Sequence, residues 1–498
     1  MAVFVLAELA LAGLVGAQAQ EIRQGAVSDD VLRLGSAPDH AAPGAANYGM
    51  PKPKWPGGKK PPPKNAHPLP PLFPYPTSAQ ARLRGGMIDS APSPTIAMPA
   101  PIFRPNHPRV DDDPFAPTGV NLGLLRVKPY VENDVGYNDN PNQAPKGSRQ
   151  LRGSGFWRSE GGLAAESDWA NHAFNAELRG GYTSYFADHN ADAPDGSGKF
   201  SARIDVSRDT KINIGGMFAV TTQNPSSPNL DNGGGAAVLV GRPIIATYGG
   251  SLGATQDFNR LQLGLRSEID RTDYQNASFS NGTTQQLSLN DYDDYGLTLS
   301  AAYDLKPGIR PFAEATVDSR VYGSQFDSSG YERDSIGLAG RLGSSFELTR
   351  LLTGAAAVGY AQRHYQDPRL TDLRGPTFDA SLVWTVTPLT KVTLRGVTLL
   401  NETTVAGASG DLSNRIGLEV SHALLRNLTL TAAGSIQTDA YQGTNLHQTT
   451  MDWGFRAEYS LTRSIVIKGS FTHERMLSTS GGTDYTANVF LVGLRLQR

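Results

Sequence analysis

The chain has 498 residues, of which 45 are Lys or Arg and 47 are Asp or Glu, so its formal charge at neutral pH is −2. Nucleic-acid-binding proteins need a basic surface, and this balance of charge argues against that class. The absence of cysteine excludes a disulfide framework, thiolate metal ligands and a cysteine nucleophile.

The first 19 residues have the pattern of a secretory signal peptide. Residues 2–19 (AVFVLAELALAGLVGAQA) are mostly apolar and end in Ala17-Gln18-Ala19, a small-x-small cleavage site. No basic residue precedes the apolar run and Glu8 interrupts it, so a single amphipathic or membrane helix is the alternative interpretation. No later stretch reaches the roughly 18 apolar residues of a membrane-spanning helix. We therefore predict an exported protein whose mature chain starts at Gln20.

Residues 20–120 are predicted to form a proline-rich arm. Of the 33 prolines, 21 lie between Pro38 and Pro117. Proline fixes φ and lacks an N–H, so this composition predicts a disordered or polyproline II segment, which we place in the periplasm. The arm is either a solvated spacer or a tether to an anionic periplasmic polymer or a partner protein. Three adjacent carboxylates at 111–113 lack the spacing of a calcium loop, so we predict no metal site and no cofactor.

From residue 121 to the C-terminus, apolar and polar side chains alternate with a period of two. The segment Met451–Tyr459 (MDWGFRAEY) shows the pattern, with apolar residues at the odd positions and small or charged residues at the even ones. Such alternation is typical of β-strands that have one apolar and one polar face. The segments are about 12–17 residues long, which is longer than most strands of a soluble β-sandwich or a propeller blade.

Short and long connections alternate between these strands. Nine long, polar links separate strands that are otherwise joined by eight tight turns, centred near Ala170, Asp209, Asn259, Pro307, Thr349, Leu389, Arg426 and Thr462. Short turns at one end and long loops at the other are typical of a transmembrane barrel. Residues 121–498 are therefore predicted to form an all-β, antiparallel, up-and-down transmembrane β-barrel of 18 strands, with 16 as the alternative count.

Charged residues within the strands fall almost entirely on the face opposite the apolar one. An Arg that faced lipid at mid-depth would cost about 2–4 kcal/mol, so this sorting favours a barrel with an apolar outside and a wet inside. The candidate lumen-lining residues are Arg126, Arg158, Glu160, Glu177, Arg179, Arg203, Arg266, Glu268, Glu314, Arg320, Arg341, Arg395, Arg456 and Glu458. Because both signs of charge occur, we predict no strong bias toward cations or anions.

The barrel region resembles the β-barrel porin type 2 family of Gram-negative, chiefly alphaproteobacterial, outer membranes. The resemblance rests on the first two strands, LLRVKPYVENDVGYNDNP (Leu124–Pro141) and FWRSEGGLAAESDW (Phe156–Trp169), on the repeated hairpins and on the ending NVFLVGLRLQR. It implies an outer-membrane location, contact with membrane lipid and insertion by the barrel-assembly machinery. Many such barrels end in an aromatic residue, whereas the last aromatic here is Phe490.

No enzymatic motif is convincing. Gly249–Gly253 (GGSLG) matches the nucleophile-elbow spelling, but it lies in a strand pattern rather than at a strand-to-helix turn. Some outer-membrane hydrolases use an outward-facing Ser/His pair, and His422 is the only histidine that the strand alternation places outward. No motif ties a serine to it, and we predict no enzyme.

Two functions remain open at this stage. The first is a porin-like channel for small hydrophilic solutes, since a barrel of 16–18 strands leaves an aqueous lumen unless something plugs it. The second is exopolysaccharide export or outer-membrane assembly, with the arm acting as a periplasmic tether or as a plug. The transported solute and the oligomeric state cannot be read from the sequence.

Overall fold

The computed structural model describes residues 115–148, 151–230, 237–349 and 351–498. The predicted signal peptide (1–19) and residues 20–114 of the predicted arm lie outside this part of the chain. Within it, no helix is long and apolar enough to cross a membrane.

Eighteen long strands of 12 to 16 residues make up the described fold. Their bounds are β1 Leu125–Asn138, β2 Ser154–Ser167, β3 Ala173–Tyr185, β4 Ala193–Asp205, β5 Thr210–Thr222, β6 Ile244–Phe258, β7 Leu261–Tyr274, β8 Tyr292–Tyr303, β9 Ile309–Tyr322, β10 Ser335–Thr349, β11 Leu352–Tyr365, β12 Leu373–Thr387, β13 Thr390–Glu402, β14 Gly410–Leu425, β15 Leu428–Gln442, β16 His447–Thr462, β17 Ile465–Ser478 and β18 Tyr485–Gln497. The short elements are 3-10 turns at His189–Ala191 and Leu287–Asn290, strand Val120–Leu122, and the small pair Ala277–Ser278 and Thr284–Gln285.

Each long strand pairs antiparallel with its neighbour in sequence, and the last strand closes onto the first. In β1, Tyr130 lies opposite Gln497 and Asn138 lies opposite Val489, both of β18. A closed sheet has no unpaired edge, which is the condition for a β-structure to sit in lipid. The prediction of an all-β, up-and-down barrel of 18 strands is confirmed, and the alternative count of 16 is wrong.

The strands are joined by short turns at one end of the barrel and mostly longer loops at the other. All eight turns predicted from the sequence fall between consecutive strands or at a strand end, and the shortest connections, such as 259–260 and 388–389, contain two residues. We call this end of the barrel the turn end. Most connections at the loop end are longer, up to 21 residues at 223–243, while 443–446 is only four residues long.

Exposure alternates along the strands as the sequence predicts. In β18, Phe490, Val492, Leu494 and Leu496 are exposed, while the residues between them are buried. Large apolar side chains on the exposed face repeat around the barrel, for example Leu338 of β10 and Val358 of β11. This surface would be costly in water and favourable in lipid, so the period-two pattern specifies which side of the wall the membrane covers.

Both ends of the described barrel meet at the turn end. β18 stops opposite Tyr130, and the short strand Val120–Leu122 pairs with the next part of β1, so that Val120 lies opposite Val127. The Arg498 N–H donates to the Pro129 carbonyl at 3.1 Å. The chain therefore enters the barrel wall beside its own C-terminus.

Candidate functional site

The inner face of the barrel is identified by contacts between strands that are not neighbours. Arg341 of β10 pairs with Asp379 of β12 at 3.2 Å, and Arg363 of β11 pairs with Asp318 of β9. Side chains converge only on the concave side of a curved sheet, so these contacts mark that side as the inside. The exposed apolar side chains, such as Val358, lie on the opposite face.

The first inner-face cluster joins β2, β3 and β4. Arg158 lies 2.6 Å from Asp195 and 2.9 Å from Glu160, and Arg179 contacts the same two carboxylates at 3.1 and 3.2 Å. Each carboxylate thus bridges both guanidinium groups, and all four side chains are at least nine-tenths buried. The predicted Arg158, Glu160 and Arg179 therefore come together, while Arg203 pairs separately with Asp205 at 2.8 Å.

A second cluster lies across the seam that closes the barrel. Glu132 of β1 forms ion pairs with Arg495 of β18 at 2.6 Å and with Lys468 of β17 at 2.8 Å. The Arg495 guanidinium also stacks 4.3 Å from the centre of the Tyr130 ring. These ion pairs connect the first strand of the barrel to the last two. Because Glu132 is buried, the charge-assisted hydrogen bonds are shielded from water.

The other candidate residues form smaller groups on the same face. The structure gives the remaining candidate residues these partners: Arg341 with Glu314 at 2.5 Å, Arg266 with Glu268 at 3.7 Å, Arg456 with Glu458 at 3.6 Å, Glu177 with Lys199 at 3.1 Å, Arg126 opposite Glu166 in the strand register, and Arg395 near Glu419. Glu314, Arg341 and Asp379 also line a partly open cavity.

One hairpin leaves the barrel wall and folds inward. β13 pairs with β12 only as far as Val397, whereas it stays paired with β14 up to Glu402. Behind it, the Gln442 side chain of β15 bonds to both the N–H and the carbonyl of Arg374 in β12, at 3.3 and 2.9 Å. Gln442 thus links β15 to β12 behind the tip of the hairpin, while β14 stays paired with β15. We call residues 398–414 the inward hairpin.

Glu402 anchors the inward hairpin to the inner wall. Its carboxylate lies 3.0 Å from both Arg320 of β9 and Arg363 of β11. Tyr322 and Ser335 donate hydroxyl hydrogen bonds to it at 2.7 and 2.9 Å. Arg320 also pairs with Asp294, 2.8 Å away, and is fully buried. Of this network, only Arg320 was among the sequence candidates.

Arg333, in the loop between β9 and β10, clamps the tip of the same hairpin. Its guanidinium donates to the carbonyl of Thr403, to that of Ala408 at 3.0 Å and to that of Val405 at 3.3 Å. Asp327 accepts from its Nε at 2.5 Å. One buried arginine thus satisfies three carbonyls of a bent segment that strand pairing leaves without partners.

Loops from the far side of the mouth also reach the inward hairpin. The Thr403 hydroxyl donates to Asn229 of the β5–β6 loop at 2.9 Å, and Gln285 of the β7–β8 loop donates to the Asn229 carbonyl, also at 2.9 Å. A small pocket lies where these segments meet. The loop end of the barrel is therefore narrowed by contacts that cross it.

Two loop carboxylates outside the strands have pKa values shifted by their surroundings. Hydrogen bonds from the Arg369 side chain hold the pKa of Asp367 below its usual range. Burial raises the pKa of Asp291, although the Tyr274 N–H donates to it at 2.6 Å. These shifts have local causes and do not involve the Glu402 network.

Some charged and titratable side chains face outward, which the strand alternation did not predict. Arg271, Arg374 and Arg475 all lie near the loop ends of their strands on the outer face, and Arg271 is paired with Asp273 at 2.9 Å. His364 and His473 also face outward, so the prediction that His422 is the only outward histidine is wrong. The Nδ1 atom of His473 meets the Asn488 side chain at 2.8 Å.

The described residues contain no group of three or more His, Cys, Asp or Glu side chains arranged to hold a metal ion. Ser251 of the GGSLG sequence lies within β6, in extended backbone, as the sequence pattern indicates. No strained turn presents it as a nucleophile.

Several solved structures align with the chain at low sequence identity. A BenF-like porin from Pseudomonas fluorescens Pf-5 aligns with a TM-score of 0.41 and 11% identity, over 76% of this chain and 100% of its own. OccAB4 from Acinetobacter baumannii aligns with a TM-score of 0.40 and 10% identity, over 76% and 99%. OccK9 (OpdG) from Pseudomonas aeruginosa aligns with a TM-score of 0.39 and 10% identity, over 75% and 98%.

No curated protein sequence matches the chain. The sequence profile of the family described as "Putative beta-barrel porin 2" matches residues 113–498, which cover the whole barrel. Together with a closed 18-stranded barrel that is apolar outside and charged inside, this match leads to one conclusion: the chain belongs to the beta-barrel porin 2 family and is a porin-like channel of the outer membrane.

Proposed function

We propose that the chain is a passive, weakly ion-selective channel for small hydrophilic solutes, whose width is set by the inward hairpin. The observation that carries this proposal is the position of Glu402, which holds the hairpin against β9 and β11 on the inside of the barrel. A barrel of 18 strands otherwise has a wide lumen, so a folded-in hairpin limits the size of the solute.

The fourteen candidate residues line the water pathway in this proposal. Most of the inner-face charges are matched by an opposite charge, as in the ring of Arg158, Glu160, Arg179 and Asp195. Matched charges stiffen the wall and leave little net field along the pathway, so the preference for cations over anions is weak.

The turn end faces the periplasm in this proposal, as is usual for bacterial outer-membrane barrels. The arm then leaves the barrel on the periplasmic side, since Val120–Leu122 enters the wall there. Insertion depends on the barrel-assembly machinery. Export or assembly, with the arm as a tether or plug, is the alternative function.

The test is the conductance of the full-length protein in planar bilayers, compared with two variants. One replaces loop 403–409 with a two-residue turn, and the other lacks residues 20–114. We expect steady, ohmic conductance from the full-length protein, a reversal potential near zero in a salt gradient, and a clear rise when the loop is shortened.

Each alternative gives a different result. A large rise on deleting 20–114, with no change on shortening 403–409, would favour a lumen plugged by the arm. No conductance from any of the three proteins would contradict a channel and favour an assembly role.

A further inference from the structure

Two carboxylates lie on one face of the sheet at the base of the inward hairpin: the buried Asp411 and the half-buried Asp439. Asn401 of β13 is in register with Asp411 of β14, and Ser413 of β14 is in register with Asp439 of β15. Register partners share a face of the sheet, so these four polar side chains lie on one side of it. Asp411 and Asp439 are diagonal neighbours across β14 and β15, since Asp411 lies opposite Tyr441 and Asp439 lies opposite Ser413.

The oxygen atoms of this group are only partly satisfied. Asp411 and Asn401 are each 2% exposed, and the Asn401 amide donates to Asp411 Oδ2 at 3.1 Å. Asp411 Oδ1 and Asn401 Oδ1 are buried without a hydrogen-bond partner. A buried carboxylate oxygen with no donor destabilises the folded state.

No cationic side chain of the described residues neutralises Asp411. The groups that act on it are Asp439, the Asn401 amide and its own backbone. Arg415 attracts Asp439, but its guanidinium donates to Ser435 at 3.3 Å, and Asp439 already accepts from Gln437 at 3.0 and 3.2 Å. Asp411 is therefore a buried carboxyl group without a cationic partner among the described residues.

We propose that the group of Asn401, Asp411, Ser413 and Asp439 binds a hard metal cation, with Ca²⁺ as the best fit. Ca²⁺ takes carboxylate, amide and hydroxyl oxygens together and completes its shell with water. Two carboxylates balance its charge, and the two unpartnered oxygens become ligands. The cation joins β13, β14 and β15 where the hairpin leaves the wall, so it stabilises the inward position of the hairpin.

The experiment measures Ca²⁺ binding by isothermal titration calorimetry with the full-length protein, refolded in detergent after chelator treatment. The variants are Asp411→Asn and Asp439→Asn. Asp452→Asn is the matched control, because Asp452 is also a buried inner-face carboxylate and accepts from Ser435 at 3.2 Å. Binding is measured without transport, so the result does not depend on the proposed channel function.

We expect one saturable site in the wild type and in Asp452→Asn. Affinity should fall by about tenfold or more in Asp411→Asn and Asp439→Asn, since even outer-shell changes have effects of this size. Ca²⁺ should raise the Tm of the wild type but not that of Asp411→Asn. In chelator, Asp411→Asn should unfold at the same temperature as the wild type or higher, because a buried carboxyl group without a cationic partner has been removed.

The proposal is overturned if the wild type shows no saturable binding, or if Asp411→Asn binds as tightly as the wild type. A rise in wild-type Tm on acidification, with no effect of Ca²⁺ at any pH, would show that a proton neutralises the pair instead.

Discussion

The guanidinium Nη1 of Arg333 lies 3.0 Å from the carbonyl oxygen of Ala408, and this contact joins the β9–β10 loop to the tip of the inward hairpin. Both residues are buried. The position of the hairpin therefore depends on a side chain that lies 75 residues away in the sequence.

Arg333→Ala should release the hairpin tip. The change removes donors to three carbonyls and leaves the buried Asp327 without its partner, and breaking such a pair costs about 3–5 kcal/mol. We expect a lower Tm and a larger, noisier single-channel conductance. Arg369→Ala is the control, because that arginine is more exposed and does not touch the hairpin. Unchanged conductance in Arg333→Ala would contradict its role as a clamp.

Glu402→Gln should destabilise the barrel by about 3–5 kcal/mol, because Arg320 and Arg363 would lose a shared, buried counter-charge. The measurement is the free energy of unfolding in urea, with Glu166→Gln as the matched change. Glu166 pairs with Lys128 at 2.9 Å, but both side chains are about a third exposed or more, so its loss should cost about 0–1 kcal/mol. Equal effects of the two changes would contradict the anchoring role of Glu402.

Glu132→Gln should weaken the seam between β1 and β18. Arg495 and Lys468 both depend on Glu132, and their charges would remain buried. Samples are incubated at increasing temperatures and run on a gel without boiling. We expect the folded band of Glu132→Gln to convert to the unfolded band at a lower incubation temperature than that of the wild type. Glu177 pairs with Lys199, and both side chains are more than a third exposed. Glu177→Gln should therefore leave that temperature nearly unchanged. If the two variants shift together, the seam has no special importance for closure.

Val358→Arg should be strongly destabilising, because Val358 is 68% exposed on the outer face near the middle of β11. An Arg that faces lipid at mid-depth costs about 2–4 kcal/mol, while near an interface the cost falls to about 0–1 kcal/mol. Leu348→Arg, close to the turn end of β10, is the control. The free energy of unfolding in lipid vesicles measures the difference between the two variants. Equal costs would contradict the placement of Val358 at mid-depth in the membrane.

The sequence was sufficient to predict the wall of the barrel. The period-two alternation and the eight turns are local signals, and a closed sheet of hairpins follows from them without knowledge of distant contacts. The burial pattern of β18, with Phe490 outside and Arg495 inside, is the pattern that the alternation predicts.

The inward hairpin could not be predicted in this way. Alternation along β13 puts Glu402 on the lipid side, because Lys391 and Arg395 have the opposite parity. Beyond Val397, β13 has no partner in β12 and the tip of the hairpin folds over the inner wall. Both faces of the tip are then covered by protein, and parity no longer separates lipid-facing from water-facing positions. The inward hairpin is held in place by contacts with residues distant in sequence, because Arg320, Arg363 and Arg333 all lie outside it.

The outward charges at the loop ends were missed for a related reason. Arg271 and Arg475 have the outward parity but lie near the ends of their strands. Alternation gives the side of the wall and not the depth in the membrane, and near the interface an outward arginine costs little.

The separation of a wet inside from a lipid-covered outside is tested most directly by thiol labelling, because the chain has no cysteine of its own. Thr377→Cys places a thiol on the inner face, in register with Gly359, and Val358→Cys places one on the outer face of the adjacent strand. A cationic, water-soluble thiol reagent should lower the bilayer conductance of Thr377→Cys and leave that of Val358→Cys unchanged. Modification of Val358→Cys with no effect on Thr377→Cys would contradict the account.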